Sequence, residues 1–300
     1  MQRSIIQHGT SSLTVTLPNK WVSRWRLKKG DQVEVTEAGP QLLVTAGASH
    51  DVVAKEVSVK EEGVFTKNDL SHLYQLGYDE IIIHYDDAKT LEEIRSRLPN
   101  CIGYEILDQR KNAVTIKAIA TTIEDEFDPL LRKSFLITKE LAEGVHDALS
   151  RKAASELPEL RMLESLNNKF TDVCLRILAR RGYKIASRSM QAYDLIKNLE
   201  RICDEYKRLC DYYKDGEAAD KETLMALKDA NAYYLLFYEL FYAFDAGRKR
   251  RIFEERAALV QRFESVLRSS SGTKSLAFAA LLRIVEKTYD ATGASFALAL

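Results

Sequence analysis

The front of the chain takes its fold from the stretch RSIIQHGTSSLTVTLPNKWVSRWRLKKGDQVEV, which runs from Arg3 to Val35. Its short segments SIIQH and LTVTL run apolar or alternate apolar with polar residues, which predicts two β-strands. Pro18 ends the second segment, and Asn19 is expected to cap a short helix over NKWVSRWRL, residues 19–27. The following segments, DQVEVTE and QLLVTA, predict a second pair of strands. Because a lone hairpin is marginal in water, two hairpins of this size favour dimerisation.

Charge is unevenly distributed along the chain, although Lys plus Arg and Asp plus Glu number 44 each. The first fifty residues contain six basic and three acidic residues, and no acid precedes Asp31. Residues 51–120 contain nine basic and thirteen acidic residues. An anionic partner is therefore expected at the front of the chain.

Composition and spacing argue against membrane-spanning, secreted and metallopeptidase classes. No apolar stretch approaches the roughly 18 residues that cross a bilayer. The first residues, MQRSIIQHGTSS, lack the basic-then-apolar order of a signal peptide. The four cysteines form no C-x-x-C pair and are expected to be buried thiols, and no two of the five histidines are four residues apart. We expect a cytoplasmic protein without catalytic residues and without stable membrane insertion.

Residues 52–120 alternate between strand-like and helix-like patterns. Strands are expected at VVAKEVSV, DEIIIHY, GYEILDQ and AVTIKAI, and helices at TKNDLSHLYQLG and AKTLEEIRSRLP. Thr66 and Gly77 are expected to bracket the first helix as N-cap and C′ residues. Two βα steps that end in a hairpin form a compact α+β unit, which we interpret as a spacer or docking module.

Beyond residue 121 the apolar residues recur with a helical period. Helices are expected near 129–151, 157–181, 187–214, 220–246, 249–268 and 273–298, separated by segments that contain Gly, Ser or Pro. Short connections make neighbouring helices antiparallel, as in helical bundles. The predicted fold class is α+β multidomain, with domains at residues 1–48, 49–120 and 121–300.

Two of the predicted helices carry a Glu and an Asp four residues apart. These pairs are Glu200 with Asp204 and, 86 residues later, Glu286 with Asp290. On a helical wheel both pairs lie at the same offset from the apolar stripe, which predicts two copies of a three-helix unit. Like charges at this spacing slightly destabilise a helix, so their repetition suggests a cation site. Carboxylates without His suit a divalent metal such as magnesium or manganese, or iron.

A third row of polar residues on the second predicted helix also steps by four. It comprises Glu164, Asn168 and Asp172, of which Glu164 and Asp172 are further candidate metal ligands. The alternative for all six acids is an ordinary solvated helix flank, which is the usual reason for this spacing.

The helical part resembles a known family of regulators. NLERICDEYKRL, residues 198–209, resembles the Glu-x-x-x-Asp motif helix of PhoU-type phosphate-signalling regulators. LESLNNKFTDVCLRILARRG resembles the second helix of a PhoU repeat. The resemblance covers about residues 129–298 and implies two three-helix repeats that can bind metal clusters. It carries the ligand role onto Glu200, Asp204, Glu286 and Asp290.

The front of the chain resembles a second family. Residues 3–35 follow the order strand, Leu-Pro, short helix, Lys-Gly-Asp and strand, and so resemble a SpoVT/AbrB swapped-hairpin DNA-binding domain. Such domains form intertwined dimers that present basic residues to DNA. The resemblance implies DNA contacts for Arg3, Lys20, Arg24, Arg26 and Lys28. The order AbrB-like, α+β, PhoU-like resembles a class of archaeal PhoU-related regulators.

One further basic run, GRKRR at Gly247–Arg251, lies outside both resemblances. It suits nucleic acid, anionic lipid or an acidic partner. Alternatively, the run follows a helix stop, and its cations stabilise the C-terminus of the preceding helix.

The preferred hypothesis is a homodimeric transcriptional regulator linked to phosphate signalling. Its β domain would bind DNA, and its helical domain would sense phosphate status through a metal or a partner protein. The alternative is a PhoU-like adaptor that negatively regulates a phosphate transporter without binding DNA. A carboxylate di-iron oxidase requires Glu-x-x-His pairs on its helices, and His146 alone does not supply them.

Overall fold

The computed structural model describes residues 2–38, 40–46, 53–59, 63, 65–119 and 126–299. The chain divides into two compact units, Met1–Val53 and Ala54–Leu300. The predicted domain boundaries, at 48/49 and 120/121, fall outside the described residues and stay predictions.

The first unit consists of two separate β-hairpins with one short helix between them in the chain. Strand β1 (Ile6–His8) pairs antiparallel with β2 (Ser12–Thr14), and β3 (Val33–Ala38) pairs antiparallel with β4 (Gln41–Ala46). Helix α1 spans Asn19–Arg24. This agrees with the predicted order of elements.

The start of α1 differs from the prediction, because Asn19 is its first helical residue and not its N-cap. Pro18 takes the N-cap position, and no side chain caps the helix. The Pro18 carbonyl accepts the N–H groups of Trp21 and Val22 at 2.9 and 3.0 Å. A proline there suits the extended backbone that precedes a helix, so the helix begins one residue earlier than a capping Asn would place it.

The second unit begins with a four-stranded mixed sheet. Its strands are β5 (Ala54–Ser58), β6 (Glu80–His84), β7 (Tyr104–Arg110) and β8 (Ala113–Ala118), in the spatial order β5-β6-β8-β7. Strands β5 and β6 are parallel, and the other pairs are antiparallel. Helices α2 (Lys67–Gln75) and α3 (Ala88–Arg97) complete the two βα steps. The predicted α+β arrangement is confirmed.

Both ends of α2 follow local capping chemistry. The Asp69 carboxylate accepts the Thr66 backbone N–H at 2.6 Å and the Thr66 hydroxyl at 2.9 Å. Gly77 follows the helix with a φ of 85°, the left-handed conformation that glycine adopts without a steric penalty. The predicted bracket of Thr66 and Gly77 is confirmed.

Residues 127–299 form long helices with short connections. They are α4 (Phe127–Ser150), α5 (Leu157–Arg181), α6 (Ser189–Tyr213), α7 (Lys221–Tyr242), α8 (Ala246–Ser269) and α9 (Gly272–Ala299). Their apolar stripes meet in one core, and α6 packs along α9. The helical bundle is confirmed, whereas its division into two PhoU-like repeats stays a prediction. Among the described residues, no helix combines the length and apolar character needed to cross a bilayer.

Helix α5 belongs to two cores. One of its faces packs in the helical bundle, while Val173 and Ile177 pack into the core of the sheet. Between these contacts, Arg176 and Arg180 bind the Asp79 carboxylate at 3.0 and 2.7 Å. The sheet and the helices therefore share a charged and apolar junction within one compact unit.

Backbone groups complete this junction. Arg176 donates to the Tyr78 carbonyl at 2.7 Å, and Arg180 donates to the Gly77 carbonyl at 2.9 Å. The approach is close, since a Cβ atom at residue 77 would lie 2.7 Å from Cγ of Arg180. Glycine at this position therefore permits both the left-handed conformation at the helix end and the close packing of Arg180.

We predict that Asp79→Ala lowers the free energy of unfolding by about 3 kcal/mol, because it removes the carboxylate that two mostly buried guanidinium groups bind. Their side chains are only 11% and 14% exposed. Urea unfolding followed by circular dichroism measures the loss. The control is Asp108→Ala, which removes an exposed pair with Arg110 and should change stability by less than about 1 kcal/mol. Equal losses in the two variants would contradict the role given to the junction.

Candidate nucleic-acid interface and acidic helix pairs

The first unit leaves its large apolar side chains in contact with water. Ile5 is 69% exposed, Leu13 is 71% exposed and Leu42 is 64% exposed. Among the residues whose burial is described, none before Val57 is buried. A concentration of exposed apolar side chains marks an interaction surface, which a partner would cover.

The five predicted DNA-contacting residues all lie on the surface of this unit. Within the described part of the chain none of them forms an ion pair, and all five are exposed: Arg3, Lys20, Arg24, Arg26 and Lys28. Lys20 and Arg24 are four residues apart and therefore share one face of α1. Trp21 and Trp25, one residue further along, lie about 100° away around the helix axis and are half-buried. The helix thus has a half-buried aromatic side and an exposed basic side.

Arg26 has a left-handed backbone conformation, with a φ of 51°. Its N–H donates to the Ser23 carbonyl at 3.2 Å, and the Leu27 N–H donates to the Val22 carbonyl at 3.0 Å. These two bonds form a Schellman motif, in which glycine is the usual left-handed residue. An arginine there is strained, and such strain is often found at functional positions. This supports a role for the Arg26 side chain.

Lys28 lies in the turn that leads into β3. The Asp31 N–H donates to the Lys28 carbonyl at 3.1 Å, and the Asp31 carboxylate accepts the Lys28 N–H at 2.7 Å. Gly30 supplies the positive φ, 98°, that this turn requires. The Lys-Gly-Asp pattern therefore holds Lys28 close after α1 in a defined turn.

We predict that Arg26→Gly stabilises the first unit by about 1 kcal/mol, because glycine adopts the left-handed conformation without strain. The chain has two tryptophans, Trp21 and Trp25, so tryptophan fluorescence during urea unfolding reports on this unit. The control is Arg24→Gly, which places glycine within the helix and should destabilise by about 1 kcal/mol or less. Destabilisation by both changes would rule out strain at Arg26.

Three of the predicted metal ligands on α5 and α6, Glu164, Glu200 and Asp204, are paired with lysine. Glu164 and Asp204 share Lys207, whose Nζ lies 2.8 Å from a Glu164 oxygen and 3.1 Å from an Asp204 oxygen. Glu200 pairs with Lys197 on its own helix. The structure therefore brings Glu164 and Asp204 together around an ammonium group.

Asp172 faces the ends of α2 and α3. Its carboxylate accepts bonds from Arg97 at 2.9 Å and from Gln75 at 2.7 Å, and the side chain is 2% exposed. Burial raises the pKa of Asp172 to about 6, with Arg97 opposing the rise and Glu200 adding to it. Asp172 is therefore a buried part of the junction between α5 and the helices α2 and α3.

The second acidic pair has different surroundings. Glu286 on α9 binds Arg256 of α8, with a guanidinium nitrogen 2.7 Å from its carboxylate. Asp290 is exposed, and partial burial together with the charges of Glu286 and Asp194 raises its pKa. The two motif pairs thus occupy corresponding positions in the sequence without matching partners.

These contacts bear on the metal prediction. Within the residues that the structure describes, no three or more His, Cys, Asp or Glu side chains are arranged to hold a metal ion. Lys207, Lys197 and Arg256 occupy space beside the carboxylates, so this arrangement does not fit a metal. A cation at Glu164 and Asp204 would first have to displace the Lys207 ammonium. Metal binding stays a prediction from the sequence.

The partners of these acids are the residues that sequence reasoning missed. Lys197 and Lys207 lie three residues from Glu200 and Asp204 on the same helix, a spacing at which helical side chains meet. That signal was present in the sequence. Arg97 and Arg256 come from other elements, and no local pattern indicates them.

We predict that Asp172 makes the free energy of unfolding depend on pH between about 4 and 6. Its pKa is raised in the folded state, from 3.8 to about 6. The folded state therefore binds the proton more tightly, and stability is lost as pH rises through this interval, by on the order of 1–3 kcal/mol. Urea unfolding at several pH values should show this loss, and Asp172→Asn should not share it. Identical pH profiles for the two proteins would contradict the assignment.

Comparison with known proteins bears on the first unit. Residues 6–49 match the family model described as antidote-toxin recognition MazE, bacterial antitoxin. The match includes both hairpins and α1, and it supports the predicted AbrB-like domain at the N-terminus. Comparisons with curated proteins and with solved structures gave no match.

Proposed function

We propose that the chain is a homodimeric DNA-binding regulator whose first unit contacts DNA as a dimer. The observation that carries this proposal is the match of residues 6–49 to the MazE antitoxin family. The exposed apolar side chains of the same unit support dimerisation, since a second copy would cover them.

The charges of the first unit suit DNA phosphates. Lys and Arg contacts to phosphate supply most of the affinity and fix the register, while contacts to base edges supply specificity. Two copies double the exposed basic face of α1 and place Arg26 and Lys28 twice in the same assembly. In this proposal Lys20, Arg24 and Arg26 bind the phosphate backbone, with Arg3 and Lys28 as further contacts.

The helical part is the sensor in this proposal. Its antiparallel helices are compatible with the resemblance to PhoU-type regulators, which motivates a link to phosphate status. The effector would be a phosphate-signalling protein, or a divalent metal or iron bound at the acidic pairs once their lysine and arginine partners move away.

Two other regulator types follow from the same features. The MazE description supports an antitoxin-type regulator, whose helical part would bind a toxin protein. The resemblance to PhoU supports an adaptor that restrains a phosphate transporter and uses the first unit only to dimerise. DNA binding separates the adaptor from the other two.

We predict saturable binding of the purified protein to random genomic DNA fragments, measured by fluorescence anisotropy across a salt series. Affinity should fall as salt rises, because protein binding releases counterions from the DNA phosphates and added salt opposes that release. Arg24→Ala/Arg26→Ala should weaken binding and reduce the salt slope by about one for each lost phosphate contact.

The matched control is Arg262→Ala/Arg268→Ala, which removes two exposed arginines from α8. This variant should keep the slope of the unmodified protein. Absence of binding even at low salt would overturn the DNA-binding proposal and favour the adaptor.

A further inference from the structure

One end of the helical bundle combines exposed rings with a run of cations. At this end α7 and α9 finish while α6 and α8 begin. The rings of Phe244 and Phe296 lie 6.3 Å apart between centroids, and Lys249 Nζ lies 4.7 Å from the Phe296 centroid. Arg188 donates to the Leu298 carbonyl at 2.7 Å and so ties the start of α6 to the end of α9. We name as the basic–aromatic end the residues Tyr242, Phe244, Arg248, Lys249, Arg250, Arg251 and Phe253.

The aromatic side chains of the basic–aromatic end are only partly covered by the fold. Phe244 is 62% exposed, Phe253 is 45% exposed and Tyr242 is 41% exposed. Two further apolar side chains near the start of α6, Met190 and Tyr193, are 81% and 54% exposed. Burying such side chains is favourable, so their concentration at one end indicates a surface that covers them.

The cations of the basic–aromatic end lie where a helix disfavours them. Residues 248–251 are all basic and fall at the start of α8, whose first turn contains no acidic residue. The positive end of a helix dipole is stabilised by anions and destabilised by cations. Asp245, the N-cap residue, accepts the Arg248 N–H at 2.8 Å and supplies one carboxylate at this helix end. Four consecutive cations exceed that single carboxylate, so a further anion would stabilise the run.

Contacts inside the chain account for only part of this charge. Arg248 binds Glu239 at 3.3 Å and donates to the Ala243 carbonyl at 3.3 Å, which satisfies the end of α7. Arg251 binds Glu255 at 2.8 Å. Arg250 is exposed and, within the described residues, forms no ion pair. Arg248 thus satisfies the end of the preceding helix and Arg251 is paired with Glu255, while Lys249 and Arg250 have no acidic partner among the described residues.

We propose that the basic–aromatic end docks on a membrane surface that contains anionic phospholipid. Aromatic rings favour the interfacial region of a bilayer, and Lys and Arg beside them are attracted to anionic head groups. A DNA backbone would neutralise the cations but leave Phe244 and Phe253 in water. A lipid surface would neutralise the cations and also bury these two rings. The proposal does not depend on the DNA-binding role of the first unit.

The test is co-sedimentation of the full chain with phosphatidylcholine vesicles, with and without phosphatidylglycerol. We expect binding to the mixed vesicles and little binding to phosphatidylcholine alone. Arg250→Gln/Arg251→Gln should weaken binding by about twenty-five-fold, which corresponds to about fivefold for each charge removed. Phe244→Ser/Phe253→Ser should also weaken it, and circular dichroism establishes that each variant keeps its helix content.

Two matched variants locate the surface. Arg262→Gln/Arg268→Gln changes two exposed arginines further along the same helix and should leave vesicle binding unchanged. Arg24→Ala/Arg26→Ala changes the candidate DNA-contacting residues and should also leave it unchanged, so failure of the DNA proposal and failure of the lipid proposal are distinguishable.

Three results would overturn the lipid proposal. The first is no binding to vesicles that contain phosphatidylglycerol. The second is an equal loss of binding in the Arg262→Gln/Arg268→Gln variant, which would indicate unspecific attraction. The third is a loss of DNA binding, and not of vesicle binding, in the Arg250→Gln/Arg251→Gln variant, which would assign the basic–aromatic end to nucleic acid.

Discussion

Burial of apolar surface is the constraint on which the first unit depends. Two hairpins and a six-residue helix provide too little chain to enclose the side chains of Ile5, Leu13 and Leu42, and the described part of the unit has no buried residue. Small domains solve this problem with disulfides, metals or oligomerisation. The first unit contains no cysteine, so disulfides are excluded, and in our proposal a second copy covers these side chains. The same association would bring the basic faces of two α1 helices into one dimer.

The second unit meets the same constraint within one chain, through α5. This helix packs in the bundle on one side and in the core of the sheet on the other. The junction also contains charged groups, since Arg176 and Arg180 meet Asp79 while Asp172 meets Arg97. Mostly buried pairs of this kind contribute little net stability compared with apolar contacts, but they strongly penalise any arrangement that separates the partners. The sheet and the bundle are therefore held in a defined orientation.

Periodicity in the sequence predicted much of this architecture, because helix and strand impose different spacings on apolar residues. The long helices begin and end within a few residues of their predicted positions, and the two βα steps with their hairpin were foreseen. The predicted N-cap of α1 was wrong, because Pro18 and not Asn19 occupies that position. The left-handed conformation of Arg26 was not foreseen, since arginine carries no signal for it.

The acidic pairs show why the candidate sites were harder to predict than the fold. A helical wheel places Glu200 and Glu286 on a flank, but it does not show which charge lies opposite each of them. Lys197 on the same helix lies beside Glu200, and Arg256 of α8 lies beside Glu286. Asp172 was predicted as a ligand from its spacing alone, whereas its partners Gln75 and Arg97 lie 97 and 75 residues away in the chain. Contacts over such separations depend on how α2 and α3 pack against α5, and no local pattern encodes that packing.

The central claim is that a second copy of the chain completes the first unit. Sedimentation equilibrium of the full chain, alone and as Leu13→Glu/Leu42→Glu, tests it most directly. The account predicts twice the chain mass of 34.1 kDa for the unmodified protein and the single chain mass for the variant. A mass of 34.1 kDa for the unmodified protein, with the fluorescence of Trp21 and Trp25 showing a folded first unit, would contradict it.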